Sequence, residues 1–139
     1  MFKMKTKILL LAILSMTCLS LLAQTNEEKR EKRKNLTIKE WNTNAATQTR
    51  FLDHITKYNA QGFKTEEIEY ANYGQKSKIT YEYDASGKCV KEVEYDGRNK
   101  VLRIRKFEYY TDGSKKKQYN YLPSGKLESS KEFEYIFAN

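Results

Sequence analysis

The sequence predicts an all-β domain, an antiparallel β-meander of about seven to eight short strands, curled or partly closed. Two observations carry this expectation. The first is a repeated unit: Tyr83-Asp-Ala-Ser-Gly87-Lys88 and Tyr121-Leu-Pro-Ser-Gly125-Lys126 each place glycine four residues after tyrosine. The spacing recurs at Tyr58…Gly62, Tyr70…Gly74 and Tyr109…Gly113. Tyr95…Asn99 keeps it with asparagine, which also tolerates positive φ. Tyr135 is in phase as a seventh member, and the intervals between these tyrosines are 12, 13, 12, 14, 12 and 14 residues. The second observation is alternation. Two residues before the tyrosines stand Thr56, Ile68, Tyr81, Val93, Phe107, Tyr119 and Phe133, and the position between is Glu69, Glu82, Glu94, Glu108 or Glu134 in five units. Period two is the signature of a half-buried strand, and a turn every dozen residues is that of antiparallel neighbours joined by tight loops.

Along the chain, the first element is a basic head with Lys3, Lys5 and Lys7, an apolar stretch from Ile8, and a small residue, Ala23, before Gln24. This reads as a signal peptide over residues 1–23, too short and too diluted to span a bilayer. Cys18 raises lipidation, but Ser15-Met16-Thr17 fits a lipobox poorly, so an ordinary cleaved signal and export to the periplasm or cell exterior are expected. Residues 24–35 form a charged linker, with the run Glu27 to Lys34 as a solvated spacer, helical or disordered. Residues 36–139 form one domain. Ile38–Trp41 supplies a first strand, followed by strands near 50–58, 64–70, 76–83, 88–95, 100–109, 115–121 and 126–137.

Parity then assigns the faces. One collects Ile68, Tyr70, Ile79, Tyr81, Tyr83, Val93, Tyr95, Phe107, Tyr109, Tyr119, Tyr121, Phe133, Tyr135 and Phe137, and the other the glutamates and lysines. Leu102 and Ile104 break the rule, which predicts a bulge near Arg105-Lys106. The aromatic face is expected to be core, covered by curling of the sheet or by residues 36–57 folding over it, because an uncovered patch that large is unusual on a monomer.

Catalytic material is scarce. His54 is the one histidine, Cys89 the one cysteine after the signal, and neither His-x-x-x-His nor Cys-x-x-Cys occurs. Asp84, Asp96 and Asp112 fall in turns, where a carboxylate bonds local backbone. No catalytic residue, metal site or cofactor is expected, and the chain reads as a non-enzyme. Lys3, Lys5 and Lys7 account for three of the net charge of +8, and the remainder is spread among interleaved acids, which argues against a nucleic-acid partner. The apolar end of the last strand makes Phe133, Tyr135 and Phe137 the candidate partner-binding residues. Such an edge invites strand addition by a partner, a second copy, or the chain's own Leu36–Trp41, which would close a barrel. Closure is the favoured outcome.

The tyrosine–glycine units resemble the YD repeats of large wrapping toxins and MORN-variant repeats, over about residues 56–137. With the signal and Leu36-Thr-Ile-Lys-Glu-Trp41 included, the whole chain looks like the small secreted Bacteroidetes proteins of domain-of-unknown-function family 3836. These resemblances imply export and a β-hairpin repeat fold. The functional expectation is an exported, non-catalytic binding module for a surface glycan or protein; the alternative is a structural or inhibitor-like envelope protein acting through its sheet.

Overall fold

Eight strands pair antiparallel in chain order to make one sheet: β1 (Thr37–Thr43), β2 (Arg50–Tyr58), β3 (Lys64–Ala71), β4 (Gly74–Tyr83), β5 (Cys89–Asp96), β6 (Val101–Tyr109), β7 (Lys115–Tyr121) and β8 (Leu127–Glu132). The computed structural model describes residues 26–138, so the expected signal peptide lies outside the described residues. The last strand stops at Glu132 rather than running to 137, because beyond Phe133, whose N–H donates to the Lys116 carbonyl at 3.0 Å, β7 has little strand left to pair with.

The repeat fixes the turns. In the β4–β5 loop the Gly87 N–H donates to the Asp84 carbonyl (3.0 Å) and the Asp84 N–H to the Lys88 carbonyl (2.9 Å). This is a type I turn followed by a left-handed residue, a three-residue hairpin loop. The same two bonds close the loops at Asn59–Phe63, Asp96–Lys100, Tyr110–Ser114 and Leu122–Lys126. The left-handed position is Gly62, Gly87, Asn99, Gly113 or Gly125, with φ from 61° to 85°. The β3–β4 turn departs from the repeat: Ala71 pairs with Gly74 across two residues. Turn acids act locally, as expected. Asp84 Oδ1 accepts from the N–H groups of Ser86 and Lys88, both at 2.9 Å, and Asn59 Oδ1 makes the equivalent pair with Gln61 and Phe63. The Ser86 hydroxyl and then these amides hold the Asp84 carboxyl below its usual range.

Beside each of the first six repeat tyrosines the ladder slips by one residue. Tyr58, Tyr70, Tyr83, Tyr95, Tyr109 and Tyr121 each sit where the following strand carries an extra residue: Thr65, Lys76, Val90, Leu102, Lys116 and Glu128. These bulges overturn the expected single tyrosine face. Tyr83 opposite Cys89 would, without a bulge, carry Ile79 opposite Val93; the extra Val90 shifts the register, so Val93 instead faces Thr80 and Tyr81 faces Glu92. A one-residue slip exchanges faces. Ile68, Val93, Tyr95, Ile104 and Tyr121 therefore lie on one side, called the front, and Thr56, Ile79, Tyr81, Tyr83, Phe107 and Tyr109 on the back. The bulge expected near Arg105-Lys106 is absent: pairing runs unbroken from Arg103 to Glu108, and the extra residue is Leu102. Ile104 and Phe107 simply face opposite sides.

Among the described residues each strand touches only its neighbours in sequence, and β1 and β8 are the two edges. The barrel closure favoured from the sequence does not occur: Leu36–Trp41 belongs to the edge opposite β8, about 34 Å away at the usual strand spacing. Residues 36–57 extend the sheet in its own plane instead of covering it. Because the apolar side chains are divided between two faces, neither collects enough of them to be roofed. Among the described residues, only Ile68, Val93 and Phe107 of the apolar side chains are buried, at 7–8% exposure. Cross-strand pairs hold the rest, including Lys57–Glu66 (2.6 Å), Lys91–Glu82 (2.7 Å) and Arg105 between Glu92 and Glu94 (3.3 and 3.0 Å).

Residues 26–31 are helical and exposed. The segment rests on the β2–β3 loop: Arg30 lies over the Phe63 ring (5.4 Å), Arg33 over Tyr58 (5.4 Å), and the Asn35 N–H donates to the Asn59 carbonyl (2.9 Å).

Candidate functional site

Even-numbered strands end, and odd-numbered ones begin, at the same end of the sheet, so the loops 59–63, 84–88 and 110–114 line up there. A short ladder of rings and cations crosses this end. Phe63 stacks on Tyr83 with centroids 4.9 Å apart and planes at 19°. The Tyr83 hydroxyl donates to the Lys64 carbonyl (2.7 Å), and Tyr109 does the same to Cys89 (2.6 Å) and Tyr135 to Lys115 (2.9 Å). In each case a tyrosine at or just beyond the end of an even strand ties the first carbonyl of the strand before it. Lys88 reaches across to the next loop, donating to the Gly113 carbonyl (3.0 Å) with its ammonium 5.6 Å from the Tyr109 ring.

Burial pushes the Tyr83 hydroxyl up to about 12. The folded state thus favours the neutral phenol, so this stabilisation is whole below about pH 10, the ordinary tyrosine value, and is lost as pH rises through about 12. Burial raises Tyr81 and Tyr109 in the same direction. Tyr83→Phe is expected to cost about 1 kcal/mol at neutral pH, since the Lys64 carbonyl loses its donor. Its alkaline loss of stability should be shallower than that of the parent. Urea midpoints measured across that pH range test this, and equal slopes would show that Tyr83 does not titrate with folding.

Between the β4–β5 and β6–β7 loops lies an open cleft of about 650 Å³, lined by Asp84, Ser86, Lys88, Tyr109, Tyr110 and Lys116 among others. Its wall continues into the C-terminal segment. The Tyr110 hydroxyl donates to the Phe133 carbonyl (3.2 Å), and the Tyr110 and Tyr135 rings meet edge to face at 6.3 Å. Lys115 lies 5.7 Å from the Phe133 ring and 4.3 Å from Phe107. Of the three sequence-predicted residues, Phe133 and Tyr135 are thus brought together on Tyr110 and Lys115. Phe137, 89% exposed, projects beyond them beside Ile136 at 86%. Tyr110 and Lys116 escaped the sequence reading, although one signal was present. The residue after the repeat tyrosine is Asn59, Ala71, Asp84, Asp96, Tyr110, Leu122 or Ile136, and Tyr110 is the one aromatic residue at that position.

Little here supports bond-making chemistry. Burial pushes the Cys89 thiol up, away from the thiolate a nucleophile needs. His54 Nδ1 lies 3.0 Å from Asp53 Oδ2 on the strand that opposes Trp41, away from the cleft. Among the described residues no three His, Cys, Asp or Glu side chains are grouped to hold a metal ion, and no helix is long and apolar enough to cross a membrane. No family model matches this chain, and no curated protein matches it.

The rings of the sheet are largely occupied by cations. Lys78 sits 4.6 Å from the Tyr95 centroid, Lys106 5.3 Å from Tyr121, Lys64 4.8 Å from Tyr81 and Arg50 4.4 Å from Trp41. Each pair contributes about 0.5–1 kcal/mol at an exposed site and covers one ring face.

Proposed function

We propose that this chain is an exported, non-catalytic binding module that engages a protein through the loop end of its sheet, where Phe133, Tyr135 and Phe137 adjoin the cleft. The observation that carries the reading is the cluster itself: Tyr110, Tyr135 and Phe137 are left exposed together at one end of the sheet, beside Phe133, Lys115 and Lys116. Exposed rings with a polar handle are what protein interfaces use as anchors. A sugar needs a free ring face for stacking, and lysines lie over Tyr81, Tyr95, Tyr109, Tyr110 and Tyr121, which favours a protein over a glycan. Export rests on the basic head, apolar stretch and small residue before Gln24, and the resemblance to secreted β-repeat proteins agrees with it.

Two measurements test the reading. Affinity capture from envelope extract, run beside a glycan array, should retain one stoichiometric protein, and Tyr135→Ala with Phe137→Ala should release it without changing the melting temperature. Retained sugar, or capture indifferent to those substitutions, would overturn the assignment. Mass determination of the exported protein should give an amino terminus near Gln24; an acylated Cys18 there would replace the soluble form with a lipoprotein.

A further inference from the structure

We propose that the two edges of this sheet are made for one another, so that β8 of one molecule pairs antiparallel with β1 of a second copy and the meander continues from molecule to molecule. This does not rest on the binding reading above.

Among the described residues both edges are bare. All seven residues of β1 and all six of β8 are exposed, and the single proline of the chain, Pro123, lies in a loop rather than on either edge. Proteins that keep an edge unpaired blunt it with proline, charged side chains, bulges or a covering loop. Here the edges carry charge, Lys39 and Glu40 on β1 and Glu128, Lys131 and Glu132 on β8, and what matters is whether those charges repel or match. The Tyr58 N–H donates to the Leu36 carbonyl (2.9 Å), so residues 36, 38 and 40 face β2 and the backbone of Thr37 and Lys39 points outward. By the same alternation, the bond from the Phe133 N–H to the Lys116 carbonyl turns 129, 131 and 133 toward β7 and leaves Ser130 and Glu132 pointing outward.

Direction, hydrogen-bond phase and face then agree. β1 and β8 run in opposite directions, and outward-pointing Lys39 and Glu132 both lie on the front, as the registers Lys39–Ile55–Ile68 and Glu132–Lys117–Glu108 show. Placing Lys39 opposite Glu132 in a hydrogen-bonded pair puts Glu40 opposite Lys131 and Ile38 opposite Phe133 on the back. Two opposite-charge pairs and one apolar pair result, each of the kind that stabilises a ladder. Sliding the strands by two residues, the smallest shift that keeps phase, sets Glu40 on Ser129 or Phe133 and loses this match.

Like-with-like pairing fails the same test. Two β8 edges related by a two-fold axis set Lys131 on Lys131, Glu132 on Glu132 or Glu128 on Glu132, according to register. Two β1 edges set Lys39 on Lys39 or Glu40 on Glu40, or leave both charges without an opposite partner. The favoured contact is therefore heterologous, and a heterologous contact propagates into open chains or closes into rings, not into a simple dimer.

Light scattering coupled to size exclusion over a concentration series tests the proposal on the purified chain. The expected result is a concentration-dependent series of species beyond the dimer. Ser130→Pro removes only an outward N–H, so it should abolish the series while leaving circular dichroism and the melting temperature close to the parent. Lys39→Glu with Glu40→Lys should weaken association by about tenfold. Adding Lys131→Glu and Glu132→Lys to the same chain should restore it. A monomer at every concentration, a series that stops at the dimer, a Ser130→Pro protein that folds and still assembles, or a four-residue exchange that fails to restore assembly in a folded chain would each overturn the proposal.

Discussion

Phe107→Ala is expected to lower the stability of the sheet by about 3 kcal/mol, the low end for a buried phenylalanine, because no second layer packs above it. Phe107 is 8% exposed, on the back of β6, with the Lys115 ammonium 4.3 Å from its ring. It is the largest of the three buried apolar side chains, and the sheet has little other apolar burial to fall back on. Urea unfolding should show a lower midpoint at unchanged slope, since the surface exposed on unfolding barely alters. Phe133→Ala, at a half-buried position past the last strand, should cost much less. Equal losses at the two sites would mean that burial in the central strands does not dominate stability.

Gly87→Ala is expected to cost about 2 kcal/mol, against about 1 for Gly125→Ala. The two glycines occupy the same repeat position at nearly the same φ, 84° and 85°, so the backbone strain of a side chain is common to both. They differ in what surrounds them. A Cβ at Gly87 would come within 2.7 Å of the Phe63 ring, which is itself stacked on Tyr83, whereas nothing lies within 4 Å of one at Gly125. The difference in melting temperature between the variants isolates the contact from the strain. If the Gly125 substitution proved as damaging, the left-handed turn alone would account for the requirement, and the Phe63–Tyr83 stack would contribute nothing to it.

The strands, their antiparallel order and the chemistry of the turns were legible in the residue pattern. Each of these depends on residues close in the chain: Asp84 bonding Ser86, Gly87 adopting positive φ, Val93 and Tyr95 alternating about Glu94. Seven of the eight strands begin and end within about two residues of where the alternation put them, and that is the limit of such patterns. The face each ring occupies, and with it the division of the apolar side chains between two sides of the sheet, emerged only from the strand registers. A bulge adds one residue whose identity is unremarkable; Thr65, Lys76, Val90, Leu102, Lys116 and Glu128 share no side-chain character. It is chosen by how the twisted ladder closes against its neighbour beside each tyrosine. Because side chains alternate with a period of two, that single residue exchanges front for back in every hairpin. For the same reason Phe133 and Tyr135 could be singled out as apolar and terminal, while their meeting with Tyr110 and Lys115 could not. Those residues lie some twenty positions apart, and only the pairing of β7 with β8 brings them to one end of the sheet.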